Sequence, residues 1–417
     1  MKKRLKVLFL QIKLRYLQHL LITVASWPHL TTWPYGLTNM ACSLTNMALW
    51  PYLKTIITKN SNHREKEHFM KKLFTVLAFL CLVFTGSQAQ KKFSVYGIAF
   101  YNQENLFDTC HDEGKNDVEF LPTGSYRWNG MKYTHKLRNM SRALAELGTD
   151  VLPDVGCAFI GLSEVENHKV LDALIAQEPL AKRGYKYVHV EGPDKRGIDC
   201  ALLYNPALFT VRDVKLVPYV YDLEKDKGRA TRGFLTVSGT LADEHVTAVV
   251  CHWPSRGATS YYRELAAKQV KALKDSLLRD DPNCKVMVMG DMNDDPTNKS
   301  MHDVLQAKPE ISQVGPDDMY NPWYNILAKE GRGTLAYNGS WNLFDQIVMT
   351  PNMLNPKGQK DFSTLKYWKS HIFTRPYLIQ NEGKYKGTPK RTTAGGVWLD
   401  GYSDHLPVVV YLVKEQK

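Results

Sequence analysis

Cysteine is scarce in this chain, with seven residues in 417. There is no CxxC pair and no Cys/His spacing of the kind that holds zinc, so nothing in the sequence points to a zinc module. Long apolar runs are also missing. The leader-like stretch Leu73–Phe84 is twelve residues long, and a helix of that length covers too little of a bilayer core of about 30 Å at about 1.5 Å per residue. A one-sided charge is missing too, once position is considered. The whole chain has 54 Lys and Arg against 42 Asp and Glu, a net of +12. Residues 1–89 hold 12 of the basic and 2 of the acidic residues, which leaves 42 and 40, a net of +2, for residues 90–417. The apparent basicity is thus no argument for nucleic-acid binding.

What is present begins at Met70. Lys71 and Lys72 form a basic start, Leu73–Phe84 an apolar centre, and Ser87-Gln88-Ala89 a small-x-small cleavage site. That order is the grammar of a secretory signal peptide. It predicts cleavage near Ala89, export to the periplasm or the outside, and a mature form with no stable membrane span. The bulky Leu80 before Cys81 argues against a lipoprotein signal. Residues 1–69 repeat LTNMA and WPY without a helical or strand period, and read as a spurious upstream extension that could not bury a core. Residues 90–417 then form one domain. Its five cysteines are Cys110, Cys157, Cys200, Cys251 and Cys284. An odd number leaves at least one free thiol, and those in apolar runs act as small hydrophobes.

Short apolar runs alternate with amphipathic patterns along the domain. Strands are predicted over 93–101, 157–163, 185–190, 198–204, 208–216, 234–240, 245–251, 285–289, 344–349 and 407–413. Helices are predicted over 135–147, 169–177 and 260–278. In the last, Tyr262, Leu265, Ala266, Val270, Leu273 and Leu277 make one apolar stripe, with Lys268, Lys271, Lys274 and Asp275 outside it. Hairpins mixed with helices imply sheets packed between helices, a mixed α/β fold. Long loops over 110–133, 218–232 and 311–342 are where specificity should reside.

One pattern recurs at the strand ends. Asn102 and Glu104 follow FSVYGIAFY, Glu164 follows CAFIGLS, His252 follows VTAVVC, and Asp291 and Asn293 follow KVMVMG. Asp345 opens DQIVM, and Asp404 with His405 opens LPVVVYL. One polar residue at a strand end is usually a solvated turn; six such sites need another account. Strand ends of stacked sheets meet along one edge, where carboxylates, amides and imidazoles make a cation and phosphate site. Oxygen-rich ligation without thiolate points to Mg²⁺, Mn²⁺ or Ca²⁺.

The ordered segments YNQENLFD (101–108), LSEVEN (162–167), RGIDCALLY (196–204), HWPSR (252–256), GDMND (290–294), WNLFDQI (341–347) and SDHLP (403–407) resemble the motif series of the endonuclease/exonuclease/phosphatase superfamily. The resemblance spans nearly all of 93–413. It implies a four-layered α/β sandwich, two packed mixed sheets flanked by helices, with the site at one edge. By motif position, it implies Glu164 as principal metal ligand, with Asp404 and Asn102 in the metal shell. It further implies that Asn102 holds the phosphate, Asp291 activates the water and Asn293 contacts the phosphoryl oxygen. His405 resembles the catalytic histidine, Asp345 the carboxylate that orients it, and His252 the histidine acting on the phosphate and leaving group.

Arg232, Arg256 and Arg263 flank these elements and are candidates to grip phosphate oxygens by paired hydrogen bonds, or else solvated arginines. Asp199 and Arg196 are placed to support His252 or bind substrate, or to pair with each other. Glu104 and Asn105 adjoin the first motif as supporting residues.

The expectation is a Mg²⁺-dependent (or Mn²⁺- or Ca²⁺-dependent) phosphodiesterase, with nucleic acid favoured because His252 sits in a nuclease-type position. Trp253, Tyr261, Tyr262, Trp323, Tyr324 and Trp341 are candidates to stack bases. A lipid or inositol phosphoesterase is the alternative. A catalytically dead binding module is a third reading, disfavoured by the full residue set. No protein partner is predicted.

Overall fold

The computed structural model describes residues 91–416 except 223, 227 and 357. The expected signal peptide and upstream extension lie outside the described residues. From Lys91 onward the chain forms a single compact unit.

Its strands, in chain order, are β1 (Phe93–Leu106), β2 (Cys157–Val165), β3 (Lys186–His189), β4 (Asp199–Tyr204), β5 (Phe209–Val217), β6 (Phe234–Leu241), β7 (Glu244–His252), β8 (Lys285–Asp291) and β9 (Ala307–Lys308). Then come β10 (Met319–Tyr320), β11 (Leu335–Tyr337), β12 (Ser340–Asn342), β13 (Asp345–Met349), β14 (Lys366–Ile372), β15 (Thr393–Ala394), β16 (Val397–Trp398) and β17 (Val408–Glu415). One mixed sheet runs β14-β17-β1-β2-β4-β3 and the other β5-β6-β7-β8-β13-β10-β9. The pairs β11–β12 and β15–β16 are separate two-stranded ribbons.

The sheets pack face to face. Phe159 of β2 meets Phe209 of β5 with ring centroids 5.0 Å apart. The outer face of the first sheet is covered by α1 (Gly130–Glu146), α2 (His168–Ile175) and α3 (Glu178–Arg183), through Met140, Leu144, Leu171, Leu174 and Leu180. The outer face of the second is covered by α4 (Ser260–Asp280), whose Ala266, Ala267 and Val270 pack on Val249, Val286 and Val288. Burying one such valine stabilises by about 1.5–3 kcal/mol. The result is the four-layered α/β sandwich, helix–sheet–sheet–helix.

Two helices, α1 and α2, start where side-chain oxygens satisfy free backbone donors. Asn129 accepts from the Lys132 N–H at 3.1 Å, and Asn167 from the Lys169 and Val170 N–H groups at 2.9 and 3.2 Å. On α4 the expected outer position of Lys274 is corrected. Its stem is buried, and its ammonium donates to the Asp317 carbonyl at 2.7 Å. Lysine can line an apolar face when its charged end finds an acceptor. The sequence reading missed β14, because KYWKSHI lacks clean alternation. The expected loop over 311–342 carries short elements, β10, β11 and β12 among them. No described helix is long and apolar enough to cross a membrane.

Candidate active site

Register places half the site. His252 at the end of β7 is paired with Asp291 at the end of β8, and Asp291 with Asp345 at the start of β13. Three sequence-distant residues thus become neighbours across adjacent strands, which stand about 4.8 Å apart. The spacing depends on Gly290. A Cβ there would sit 2.2 Å from the Cys251 carbonyl oxygen, a backbone atom that cannot turn away. Gly290→Ala is expected to destabilise by about 1–3 kcal/mol, as overpacking does. An unchanged urea midpoint would show that β7 and β8 can part freely.

The other half comes from the first sheet, through an irregular stretch. Asn102 pairs with Ser163 but Leu106 with Val165, so three residues of β1 bulge opposite one of β2. β4 skips the same residue, pairing Cys200 with Ser163 and Asp199 with Val165. Glu164 is the skipped residue. Bulges re-aim side chains, often beside active sites. Here Glu104, Asn105 and Glu164 take φ of 47°, 56° and 59°, and Asn293 across the site takes 49°. Each left-handed non-glycine residue costs on the order of 1 kcal/mol. Local hydrogen bonds offset part of that. The Glu104 N–H donates to Asn102 Oδ1 at 2.8 Å, the Asn105 N–H to Glu164 Oε2 at 2.8 Å, and the Asn293 N–H to Asp291 Oδ1 at 2.9 Å.

Between the halves the functional side chains converge. Asn102 Nδ2 lies 3.0 Å from Asp291 Oδ2 and 3.5 Å from Glu164 Oε1. His252 Nε2 lies 3.6 Å from Asp291 Oδ2 and 3.8 Å from Glu164 Oε1. His405 Nδ1 pairs with Asp345 Oδ2 at 2.7 Å, and its Nε2 reaches within 3.8 Å of Asp291 Oδ2 and 3.9 Å of Asp404 Oδ1. Asn293 Nδ2 donates to the Trp253 carbonyl at 3.0 Å. Asn102 Oδ1 accepts the Glu104 N–H, so this amide turns its NH₂ to the carboxylates. In that orientation it positions Glu164 and Asp291 and can donate to phosphate, while the second lone pair of its Oδ1 stays free for the expected metal shell.

Electrostatics sets two imidazoles apart. Burial works against charge on His405, but Asp345, Asp291 and Asp404 hold its pKa well above the usual histidine value. Burial, with Arg232, Arg196 and His405 nearby, pushes His252 well below that value. Burial raises Asp291 to about 7, with the charge of His405 opposing the rise. One protonated and one neutral imidazole therefore face a carboxyl group poised to accept a proton.

Several expected substrate contacts are corrected by their partners. Arg232 donates to the His252 and Trp253 carbonyls at 2.8 and 3.1 Å and pairs with Asp194 at 3.1 Å. Arg256 serves the Asn293 carbonyl, Asn342, Asp295 and Asn298. Arg263 pairs with Asp294 at 2.8 Å and donates to the Ser255 and Ala258 carbonyls. All three guanidinium forks thus brace the loops under His252 and Asp291. The Asp199 carboxylate is buried and taken by His189 at 3.2 Å and the Gly192 N–H at 3.1 Å. Arg196 instead reaches the site, donating to Asn105 Oδ1 and lying 4.0 Å from Glu164 Oε2. Trp253 and Trp323 are 1 % and 0 % exposed, so they are core residues and cannot stack bases.

One wall of the site had no sequence signal. A cavity of about 230 Å³ opens beside Glu164 and Asp404, lined also by Glu104, Asn105, Tyr126, Tyr385, Arg391 and Thr393. Arg391 Nη2 donates to Asp404 Oδ2 at 2.8 Å, and its Nε lies 3.5 Å from Glu104 Oε1. Glu104 is buried and also accepts the Thr392 N–H at 2.6 Å. The segment KRTTAGGVW shows neither period nor motif, so no local pattern marks this wall.

The donor set suits a hard divalent cation. Three carboxylates, Glu104, Glu164 and Asp404, line the cavity against one guanidinium, so negative charge is in excess and every donor is oxygen. Among the described residues, a tighter cluster of cation-type donors is His189, Glu191 and Asp199. There Asp199 is already satisfied by His189 and Gly192, and Glu191 by Lys115 at 3.1 Å.

Two packed sheets with this acid, amide and imidazole edge define a hydrolase of phosphate esters. The chain belongs to the endonuclease/exonuclease/phosphatase family, whose model matches residues 97–414. No curated protein matches it in sequence. Among solved structures, it is similar to a mannosyl-6-phosphatase from Bacteroides thetaiotaomicron VPI-5482, with 16% identity, TM-score 0.47, and coverage of 76% of this chain and 99% of that one. It is also similar to an endonuclease/exonuclease/phosphatase family protein from the same species, with 16% identity, TM-score 0.46 and coverage of 78% and 97%. A humanized TDP2 from D. rerio is a third, with 12% identity, TM-score 0.45 and coverage of 76% and 98%.

Proposed function

We propose that the protein is an exported, divalent-metal-dependent phosphodiesterase that cleaves nucleic acid by in-line attack of an activated water. The observation that carries this reading is the convergence of Glu164, Asp291, His252 and His405, joined by contacts of 3.8 Å from His252 to Glu164, 3.6 Å from His252 to Asp291 and 3.8 Å from His405 to Asp291. Glu164 and Asp404 would hold a divalent cation such as Mg²⁺ or Mn²⁺, which supplies positive charge beside the phosphoryl oxygens. Asp291 holds the attacking water and takes its proton at Oδ2. Asn102 Nδ2 keeps that oxygen in place. The His405 imidazolium, oriented by Asp345, offers its Nε2 proton to the oxygens that gain charge as the ester bond breaks. Neutral His252 adds a second donor or acceptor beside Glu164. Asn293 lies beside the base, its N–H on Asp291 Oδ1 at 2.9 Å.

Nucleic acid is supported by the half-exposed Trp341, next to Asn342, which Arg256 ties to the Asn293 carbonyl. A base stacked there would lie near the scissile phosphate. Because Arg232, Arg256 and Arg263 are spent internally, contact with the backbone is confined to a few phosphates and salt dependence should be shallow. Export rests on the leader sequence ending near Ala89.

The purified chain should hydrolyse bis(p-nitrophenyl) phosphate with Mg²⁺ or Mn²⁺, lose that activity in EDTA, and nick plasmid DNA or degrade RNA. Glu164→Ala should lower Mn²⁺ affinity as well as turnover. Absence of turnover with every divalent metal tried would overturn the enzyme reading. Turnover of lipid or inositol phosphates without nucleic-acid cleavage would overturn the substrate.

A further inference from the structure

The loop over 218–232, where specificity is expected, closes a second pocket beyond His252. Its volume is about 140 Å³, roughly four or five waters at about 30 Å³ each and so the room a phosphate group fills. Lys195, Tyr221, Arg229, Pro254 and Tyr262 form most of its lining, and no lining residue is a carboxylate. Two cations without a facing carboxylate favour an anion. Arg232 ties the walls together. It pairs with Asp194, next to Lys195, and donates to the His252 and Trp253 carbonyls, next to Pro254. Val220 pins the loop to α4, its N–H donating to Gln269 Oε1 at 2.8 Å and its carbonyl accepting from Gln269 Nε2 at 2.9 Å. Buried Asp226, outside the lining, accepts the Tyr262 hydroxyl at 2.6 Å and Arg229 Nη1 at 2.8 Å. The Arg229 guanidinium also lies over the Tyr262 ring, 4.9 Å from its centroid. It is thus held in place without being used up: among the described residues, its Nε and Nη2 donate to no protein acceptor. Lys195 is exposed and supplies the second cation. Pro254 stands two residues after His252, a span of at most about 7 Å.

We infer that this pocket holds the phosphate one nucleotide away from the scissile bond, so that the enzyme works on a chain rather than on a lone phosphodiester. The inference rests on the nucleic-acid reading and deepens it. Lys195 and the unused nitrogens of Arg229 grip the oxygens of that phosphate, while Asp226 and Tyr262 keep the guanidinium aimed. Tyr261, 46% exposed with its ring centroid 5.3 Å from that of Tyr262, offers a face to the attached base.

The test uses the full chain and two chromogenic diesters, thymidine 5′-(p-nitrophenyl phosphate) and thymidine 3′-(p-nitrophenyl phosphate), each with and without a phosphate on the opposite hydroxyl. All four release p-nitrophenolate. In one of the two pairs the added phosphate should raise kcat/KM by about 10–100-fold, the range that charge-assisted hydrogen bonds supply. The pair that responds gives the direction in which the strand runs. Lys195→Met and Arg229→Met should each bring that ratio toward unity. Because the ratio is taken within one variant, a general loss of activity cancels. If Arg229→Met fails to fold by circular dichroism, the exposed Lys195→Met decides. An added phosphate that changes kcat/KM by less than 3-fold in both pairs, or an advantage that survives Lys195→Met undiminished, overturns the subsite. Failure to hydrolyse any of the four overturns the phosphodiesterase reading instead.

Discussion

Asp291→Asn should lower kcat by about 10²–10⁴-fold, the range for loss of a general base. The change keeps the size of the side chain but removes the proton acceptor. It also sets an NH₂ group against Asn102 Nδ2, now 3.0 Å from Asp291 Oδ2. Rotating the new amide would only move the conflict to the Asn293 N–H, 2.9 Å from Oδ1. His405 loses one of the carboxylates that hold it protonated, so its pKa should fall toward the ordinary histidine value. The separation of base from metal ligand is checked by Mn²⁺ titration, followed by electron paramagnetic resonance. Binding through Glu164 should survive while turnover falls. Activity within tenfold of wild type would remove Asp291 from the role of base.

The largest stability effect is expected at Arg263. Its guanidinium is 5% exposed and pairs with buried Asp294 at 2.8 Å, while Nη1 serves two loop carbonyls. Arg263→Met would leave that carboxylate with the Ser300 hydroxyl at 2.7 Å and Arg256 at 3.6 Å. Breaking a buried pair by removing one partner costs about 3–5 kcal/mol, and the remaining contacts place the loss near the lower end. In urea unfolding the midpoint should drop with little change in slope. The variant should also turn over more slowly, because Asp294 adjoins Asn293. A loss below about 1 kcal/mol would mean that Asp294 is rehydrated in the variant, against the burial argument.

Arg263 shows how a correct placement can carry the wrong role. The sequence put it near the site, and it is near the site. Whether its donors face substrate or protein depends on loops that fold from elsewhere in the chain, which no local pattern encodes. Trp253 follows the same logic: position in the HWPSR segment is visible, burial is not. Asp199, in the RGIDCALLY segment, is placed by the sequence to support His252 or substrate, yet the β3–β4 hairpin turns it to His189 and Gly192.

By itself the sequence determined the alternation of apolar strands and amphipathic helices, hence a mixed α/β fold, and the polar residues that close each strand. These are local properties, set by side-chain period and by what a strand end can expose. Only the tertiary structure decided that β7, β8 and β13 lie side by side with His252, Asp291 and Asp345 in register, and that a bulge turns Glu164 toward them. It alone brought Arg391 and Tyr385 beside Glu104 and Asp404. Pairing register and loop docking minimise energy over contacts hundreds of residues apart, and a one-residue slip would send those side chains to the opposite face.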